Sequence, residues 1–165
     1  MKLKKRNFLS NKEKKKLYDE LSSTFGDKAL QLFNKNDKLE SAVSDKGEKL
    51  ILKEGRIWFF YYNNNLYPTI RCLRGTKIDI SSAVVDIGAI KFILNGADVM
   101  APGVVSFGSG IKEGDFITIK EEKAKSIIAV GLSLINSEDF DKGKKGKIIK
   151  NLHSLKDEYW NFQIK

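Results

Sequence analysis

Residues 84–105 constrain the fold more than any other part of the chain. They read VVDIGAIKFILNGADVMAPGVV, and four apolar residues among them recur at helical spacing: Ile87, Ile90, Ile93 and Leu94. Asp86 is of a residue type that caps helix N-termini, and Asn95-Gly96 supplies the left-handed turn at which many helices end. The stretch therefore predicts a short helix that buries these four side chains. A tight loop over residues 97–101 is expected to follow and to lead into a strand that Pro102 and Gly103 interrupt or begin.

Two motifs in this stretch resemble the signature of the PUA domain, a small RNA-binding module. The first is Val85-Asp86-x-Gly88-Ala89, and the second is the string from Gly96 to Val104, which reads GADVMAPGV. Downstream, Ala129-Val130-Gly131, the segment from Lys145 to His153 and Asp157-x-x-Trp160 are also similar to that family. The resemblance extends from about residue 76 to the end of the chain and implies a PUA domain there.

Motifs further upstream make the resemblance closer. The segments Phe59-Phe60, Tyr67-Pro68-Thr69-Ile70-Arg71 and Gly88-Ala89-Ile90-Lys91-Phe92 are similar to segments of the malignant-T-cell-amplified-sequence proteins and their archaeal counterparts, a family of translation factors. In that family a small N-terminal domain precedes one PUA domain. The resemblance therefore implies an α+β protein, with a small N-terminal α/β pre-PUA domain at residues 1–74 and a C-terminal, β-barrel-like PUA domain with short helices at residues 75–165.

The formal net charge of +9 indicates an anionic partner, because neutralising phosphates releases counterions and drives nucleic-acid binding. Residues 1–74 hold 17 basic and 9 acidic side chains, and residues 75–165 hold 13 and 12, so the excess lies almost entirely in the first half. Residues 1–9 predict a loose basic arm. A charge that only aids solubility is the alternative. No window approaches the roughly 18 uninterrupted apolar residues of a membrane span, and we expect a cytoplasmic protein without membrane contact.

The first half of the sequence predicts helices and then an antiparallel meander. Ser10 with Glu13 three residues later has the capping-box pattern, which predicts a helix that ends at Gly26. Its lysine-rich face is either solvated or lies against ribosomal RNA. A second short helix is expected to bury Leu30 and Phe33. Strands are predicted at residues 41–44, 49–53 and 57–61.

The aromatic run from Trp58 to Tyr62 should send side chains to both faces of its sheet, because strand residues alternate. We expect half of them in the core and the rest at an interface, with base stacking as the alternative. Gly75 is the predicted hinge, and the absence of a Ser/Gly-rich linker predicts that the two domains pack together. Further strands are predicted at residues 78–80, 116–120, 126–134 and 147–152, with a short helix from Ser137. Trp160 and Phe162 are expected to close the second domain.

The residue types that catalysis and metal binding require are not clustered in the sequence. His153 is the one histidine and Cys72 the one cysteine, and no pair of carboxylates shares a helix face. Gly108-Ser109-Gly110 is too short for a phosphate-binding P-loop and is expected to form a hairpin loop. We therefore expect a non-catalytic protein without a metal or a cofactor. In it, Cys72 is a buried apolar residue and His153 a hydrogen-bonded structural one.

The predicted RNA-binding residues lie on the central helix, in the loop after it and in a lysine-rich run near the C-terminus. They are Gly88, Lys91, Asn95, Gly96, Ala97, Asp98, Met100, Lys144, Lys145 and Lys147. Gly88 lets a phosphate backbone approach the helix face on which Lys91 would pair with phosphate. The small loop residues expose amide donors, and the family resemblance implies an RNA contact there. In the alternative interpretation, the small residues serve only helix–strand packing, the lysine run is solvated and Met100 lies in the core.

The resemblance implies a non-catalytic RNA-binding translation factor that docks on the small ribosomal subunit and contacts the acceptor end of tRNA. Initiation, reinitiation and recycling are the steps that the family serves. In eukaryotic relatives the N-terminal domain pairs with density-regulated protein, so a protein partner for residues 1–74 is also implied. An alternative is an accessory subunit that delivers tRNA or rRNA to a modifying enzyme. A third hypothesis, motivated by the nearly neutral second half, is a protein-interaction module without RNA binding.

Overall fold

The computed structural model describes residues 1–165 and has the predicted α+β composition. The strands are β1 (Leu3–Phe8), β2 (Leu39–Ser44), β3 (Lys49–Lys53), β4 (Arg56–Tyr62), β5 (Asn65–Pro68), β6 (Ser82–Val85), β7 (Val99–Met100), β8 (Val104–Phe107), β9 (Phe116–Glu121), β10 (Ile127–Ser133) and β11 (Lys147–Ser154). The helices are α1 (Asn11–Phe25), α2 (Ile70–Thr76), α3 (Ile87–Leu94) and α4 (Glu158–Asn161), and 3₁₀ turns lie at Gly26–Gln31, Ala101–Gly103 and Ser137–Asp139. No helix is long and apolar enough to span a membrane.

The chain forms two compact units. Unit 1 comprises residues 1–78 and 158–165, and unit 2 comprises residues 79–157. Unit 1 holds 19 basic and 10 acidic side chains, whereas unit 2 holds 11 of each. The whole formal charge of +9 therefore belongs to unit 1.

Unit 1 is built on a five-stranded antiparallel sheet with the strand order β1-β2-β3-β4-β5. The prediction of a loose arm at residues 1–9 is wrong, because β1 pairs with β2 at the sheet edge. There the Arg6 guanidinium lies 2.7 Å from the Glu40 carboxylate. An edge strand exposes most of its side chains, and charged residues on it discourage pairing with other chains. The lysines of β1 made the strand hard to recognise in the sequence, and they suit a strand at the edge of a sheet.

Helix α1 begins at the predicted capping box. The Glu13 N–H donates to the Ser10 hydroxyl oxygen over 3.2 Å, and the Ser10 N–H donates to the Glu13 carboxylate over 2.7 Å. The amphipathic pattern then buries Leu17 and Leu21 against the rest of unit 1. The local sequence thus fixes both where this helix starts and which face it buries.

The second predicted helix is the 3₁₀ turn Gly26–Gln31, and the prediction that Leu30 is buried there is wrong. Ala29 and Leu32 are buried, whereas Leu30 is 66% exposed and Phe33 is half-buried. Residues three apart eclipse one another in a 3₁₀ turn, so Ala29 with Leu32 and Leu30 with Phe33 form two alternative faces. Periodicity alone does not decide which of the two faces the core.

The aromatic run in β4 is packed on both faces of its sheet. Phe59 and Phe60 are both buried, which requires a cover on each face because neighbouring strand residues point in opposite directions. The Phe59 ring lies 6.0 Å from that of Phe33, and the Phe60 ring lies 5.4 Å from that of Tyr159. The Trp58 indole donates to a backbone carbonyl 2.9 Å away. Part of the run is therefore core, as expected, but the buried residues are two consecutive ones of the five and not alternate ones.

The C-terminal segment corrects the predicted assignment of residues 158–165 to the second domain, because these residues pack within unit 1. The Arg71 guanidinium carbon lies 4.3 Å from the centroid of the Trp160 ring, and Arg71 also donates to the Trp160 carbonyl over 3.1 Å. The Lys46 ammonium bonds the Glu158 carboxylate at 2.7 Å. These partners are far apart along the chain, and no local sequence pattern encodes such a return.

The predicted hinge at Gly75 is also wrong, because Gly75 lies inside α2, a helix that the sequence analysis missed. The Thr69 hydroxyl caps this helix by accepting the Cys72 N–H over 3.3 Å. A β-carbon on Gly75 would lie 3.1 Å from an edge carbon of the Trp58 ring. The glycine therefore permits a close approach between α2 and β4. Strand β5, just before α2, was missed as well.

Unit 2 is built on a six-stranded sheet with the order β7-β11-β10-β9-β6-β8, in which only β6 and β9 pair in parallel. The predicted strand at residues 78–80 is wrong, since the first strand is β6. The predicted hairpin at Gly108-Ser109-Gly110 is wrong too, because β6 lies between β8 and β9. The buried His153 has Nδ1 2.7 Å from the Asp157 carboxylate, which confirms that it is hydrogen-bonded.

Candidate nucleic-acid interface

Helix α3 starts and stops where the sequence predicted. The Asp86 carboxylate accepts the Ala89 N–H over 2.9 Å at the N-terminus. At the other end, the Gly96 N–H donates to the Ile93 carbonyl and the Ala97 N–H donates to the Phe92 carbonyl, each over 3.0 Å. This pair of bonds, with Gly96 at φ +92°, is the Schellman arrangement.

The buried face of α3 differs from the prediction at one position. Ile93 is buried and Ile90 and Leu94 are partly buried against the unit 2 core, as expected. Ile87 is 47% exposed, so its predicted burial is wrong. Ile87 is the first residue of α3, whereas the residues that pack on the core lie further along the helix.

Asn151 of β11 fixes the end of α3. Its side-chain amide donates to the carbonyls of Ile93 and Ala97, each over 3.0 Å. Its backbone N–H donates to the Asp98 carboxylate over 2.9 Å. The Ile93 carbonyl already accepts the Gly96 N–H, so these bonds add a second donor there and a donor to the Ala97 carbonyl in the following loop. They tie the loop after α3 to β11.

Asp98 also holds two lysine side chains of β11. The Lys147 ammonium lies 3.5 Å and the Lys150 ammonium 3.8 Å from the Asp98 carboxylate, which is itself mostly buried. The two lysines are three residues apart, which on a regular strand would send them to opposite faces. A register shift between Lys147 and Ile149 in the pairing of β11 with β7 brings both to the same side.

A cavity of about 720 Å³, here called the α3 cavity, opens between α3, the following loop and β11. Its lining consists of Asp86, Gly88, Ala89, Phe92, Ile93, Gly96, Ala97, Asp98, Val99, Met100, Pro102, Gly103, Lys147 and Lys150. Phe92 is 57% and Met100 45% exposed, so a core position for Met100 is wrong. The two ammonium groups and the two carboxylates balance, and the cavity has an apolar floor with a few charges on its edge.

The small residues of the cavity have different structural roles. A β-carbon on Gly103 would lie 3.1 Å from that of Ala89, so this glycine allows the turn after β7 to pack against α3. Gly96 is required for its positive φ. A β-carbon on Gly88 would meet only the Asp86 carboxylate, at an ordinary 3.4 Å. Packing therefore explains Gly103, whereas it does not require a glycine at position 88.

The structure gathers six of the ten predicted RNA-binding residues around the α3 cavity: Gly88, Gly96, Ala97, Asp98, Met100 and Lys147. Lys91 and Asn95 are exposed but do not line it, although the Lys91 ammonium lies 5.0 Å from the centroid of the Phe92 ring. Lys144 and Lys145 are exposed in the loop before β11. These four residues lie outside the cavity wall.

Among the residues that the sequence analysis did not name as RNA-binding, three have side chains that shape the site: Phe92 and Lys150 in the lining, and Asn151 beside it. Phe92 lies one helical turn after Gly88 and therefore on the same helix face. This spacing could have identified Phe92, but an apolar residue in a helix is usually assigned to the core. Lys150 was seen only as part of a lysine run, and Asn151 only as part of a motif. The position of Lys150 depends on the bulge in β11, and the hydrogen bonds of Asn151 depend on where α3 ends. The structure places no group of three or more histidine, cysteine, aspartate or glutamate side chains where they would hold a metal ion.

Two family models match the chain. The PUA domain matches residues 82–155, and a domain of unknown function (DUF1947) matches residues 5–76. The chain is 40% identical over 163 residues to an uncharacterized protein of Methanocaldococcus jannaschii, covering 99% of both. It is 29% identical over 140 residues to translation machinery-associated protein 20 of Saccharomyces cerevisiae, covering 81% of this chain and 77% of that one. It is 30% identical over 137 residues to malignant T-cell-amplified sequence 1 of Rattus norvegicus, covering 81% and 76%.

Solved structures agree with these matches. A hypothetical protein from Pyrococcus horikoshii superposes with a TM-score of 0.78 at 35% identity, covering 94% of this chain and 98% of that one. A conserved PUA domain protein from Thermoplasma acidophilum superposes with a TM-score of 0.75 at 28% identity, covering 93% and 96%. The predicted resemblance and fold class are confirmed, including the barrel-like sheet with short helices. The chain belongs to the family of PUA-domain proteins that includes malignant T-cell-amplified sequence 1 and translation machinery-associated protein 20.

Proposed function

We propose that this chain is a non-catalytic RNA-binding protein of translation that holds the exposed acceptor end of a tRNA in the α3 cavity. The observation that carries the proposal is the cavity itself. Its volume is about 720 Å³, and Asp98 holds two lysine ammonium groups at one edge. Helix α3 forms one wall, and Gly88 leaves that wall open at its position because it has no side chain. The PUA domain and relatives named for the translation machinery support RNA binding in translation.

The chemistry of the cavity suits a nucleotide with its phosphates. An apolar floor that includes Phe92 and Met100 offers surface for a base or a ribose, because every base has an apolar face. Lys147 and Lys150 offer positive charges to phosphate oxygens. Because Asp98 already restricts the two lysine side chains, they lose less conformational entropy when they bind a phosphate. Lys91, Lys144 and Lys145 extend the positive surface outside the cavity. Because the lining charges balance, contact and shape should supply much of the affinity.

The proposal extends to the small ribosomal subunit, and to a protein partner of unit 1. Relatives named for the translation machinery and the concentration of positive charge in unit 1 support the extension to the subunit. The step served is proposed to be initiation, reinitiation or recycling. A protein that supplies RNA to a modifying enzyme would instead co-purify with that enzyme and not with ribosomal subunits.

The deciding experiment measures binding of the purified protein to tRNA with and without its 3′ end, and to small ribosomal subunits, across a salt series. Gly88→Gln fills the cavity wall at a position where packing does not require glycine, so the fold should persist while tRNA affinity falls. Lys147→Gln with Lys150→Gln should lower the affinity and make the salt slope shallower. Lys123→Gln with Lys125→Gln, on the β9–β10 turn of the same unit, is the matched control.

Three results would contradict the proposal. One is equal affinity for tRNA with and without its 3′ end. Another is unchanged tRNA binding by a folded Gly88→Gln protein. The third is an equal loss of affinity in the cavity variant and in the control variant, because this would indicate a general charge effect and no site.

A further inference from the structure

Unit 1 carries a second concave surface, here called the α1 hollow, between α1 and the segment that follows the first 3₁₀ turn. Its volume is about 530 Å³. Tyr18, Leu30 and Phe33 form its apolar floor, and Lys14, Lys15 and Lys35 stand around it. This volume lies within the range of sites that take small organic groups.

The floor exposes apolar surface that the fold does not use. Leu30 is 66% exposed beside the half-buried rings of Tyr18 and Phe33. Phe33 is anchored from below by an edge-to-face contact with Phe59, at 6.0 Å between centroids. The Phe33 ring of the hollow is therefore held in position by its contact with the core residue Phe59.

The rim is polar and has no acidic member. Lys14 is tied in place, because its ammonium donates to the Lys35 carbonyl over 3.1 Å. Asn11 and Asn36 complete the lining, and their amides can both donate and accept hydrogen bonds. Cations around an aromatic and aliphatic floor, with amides that match base edges, suit a nucleotide. All of the net charge of the protein lies in this unit.

We propose that the α1 hollow takes one unstacked base of single-stranded RNA, with the neighbouring phosphates at Lys15 and Lys35. Single-strand binders combine a positive groove with side chains on which bases stack. The two aromatic rings of the floor, Tyr18 and Phe33, favour this occupant over an acidic peptide, because a base offers a flat face that stacks on such rings. The inference rests on the proposed function only in that the protein binds RNA, and it concerns a different surface in a different unit.

The test uses fluorescence anisotropy with a labelled oligouridylate and with an RNA duplex of the same length. Tyr18→Ala is expected to weaken oligouridylate binding by roughly 5- to 100-fold, as expected for the loss of one stacked base. Leu30→Ser, at an exposed position that should tolerate it, is expected to weaken binding in the same direction. Phe8→Ala is the matched control, because Phe8 is an equally exposed apolar residue of unit 1, at 67%, outside the hollow.

The lysines are tested by salt dependence. Lys15→Gln and Lys35→Gln should each make the slope of log affinity against log salt shallower by about 0.7. Lys49→Gln, an exposed lysine of unit 1 outside the hollow, should leave the slope unchanged. Circular dichroism of each variant confirms that it is folded before its affinity is compared.

Two outcomes overturn the inference. In the first, folded Tyr18→Ala and Leu30→Ser proteins bind oligouridylate as the Phe8→Ala protein does. In the second, an acidic peptide with a single leucine loses affinity in Leu30→Ser while the oligonucleotide does not, which identifies a protein as the occupant.

The Gly88→Gln variant separates this inference from the proposed function. Loss of tRNA binding in Gly88→Gln with no effect of Leu30→Ser supports the α3 cavity and overturns the α1 hollow. The reverse pattern supports the hollow and refutes the cavity.

Discussion

Gly131→Ala is expected to destabilise unit 2, because the added methyl group has no space. Gly131 is buried on β10, next to an irregularity in its pairing with β11. A β-carbon there would lie 2.2 Å from the Lys150 carbonyl oxygen and 3.0 Å from a methyl carbon of Ile149. The φ of Gly131 is not in the positive region, so the requirement is for space and not for conformation.

The magnitude follows from the atoms that must move. The carbonyl belongs to the backbone of a paired strand, and it would have to recede by roughly 1 Å through a close-packed core. Overpacking of this kind costs about 1–3 kcal/mol, and a backbone clash lies at the upper end. A loss of about 3 kcal/mol lowers the Tm of a domain of this size by roughly 12 to 24 °C. Since β11 carries Lys147, Lys150 and Asn151, RNA affinity should fall as well.

The assay is thermal denaturation followed by circular dichroism, with tRNA binding measured on the same samples. Gly143→Ala is the matched control, because Gly143 is exposed and an added β-carbon would lie 3.2 Å from a side-chain oxygen of the exposed Asp141, with no backbone atom as close. A Tm for Gly131→Ala within a few degrees of the Tm for Gly143→Ala would refute the reasoning.

Three further predictions concern single groups. Asp98→Ala removes the acceptor of the Asn151 N–H and should lower the free energy of unfolding, measured by chemical denaturation, by about 1–3 kcal/mol. Asp98→Asn keeps an acceptor oxygen and should lower it less, so equal losses in the two variants would contradict this prediction. Burial raises the pKa of the Cys72 thiol, so a thiol reagent should label the protein only after unfolding, and rapid labelling of the native protein would contradict its placement. Hydrogen bonds from the Ser10 backbone and then its side chain lower the pKa of Glu13, so this carboxylate stabilises the fold at neutral pH and loses that effect as the pH falls below about 4.5. An acid titration of Glu13→Gln by circular dichroism should therefore show a weaker pH dependence, and an unchanged titration would contradict the pairing.

Helix boundaries were predictable wherever a local hydrogen bond sets them. The Asp86 and Ser10 caps act within three residues, and Gly96 needs only its own φ. The same logic failed for α2, where the capping residue Thr69 follows a proline and precedes a segment with little periodicity. Short helices have few residues to show a period, and the contact between α2 and β4 decides whether such a segment is helical.

The candidate site was predictable in part for the same reason. Gly88 belongs to one local motif, and Gly96 and Ala97 belong to a second motif in the same stretch, so motif matches find all three. Lys150 reaches the cavity, and Asn151 the end of α3, only because β11 crosses beside α3 with a bulge. Lys144 and Lys145 looked equivalent to Lys147 in the sequence, but only Lys147 lies on β11, paired with Met100, and lines the cavity. Charge alone does not tell a site lysine from a loop lysine.

The sequence by itself determined the local features of this protein: the caps and stop of α3, the capping box of α1, and a string of small residues specific enough to identify the PUA domain. Only the tertiary structure decided the pairing of β1 with β2, the return of residues 158–165 to unit 1, and the gathering of two lysines and one carboxylate at the α3 cavity. The physical reason is the separation along the chain between the residues that contact each other. Caps and turns are set by bonds between residues a few positions apart, whereas strand order and cavities arise from contacts across tens of residues that no local pattern records.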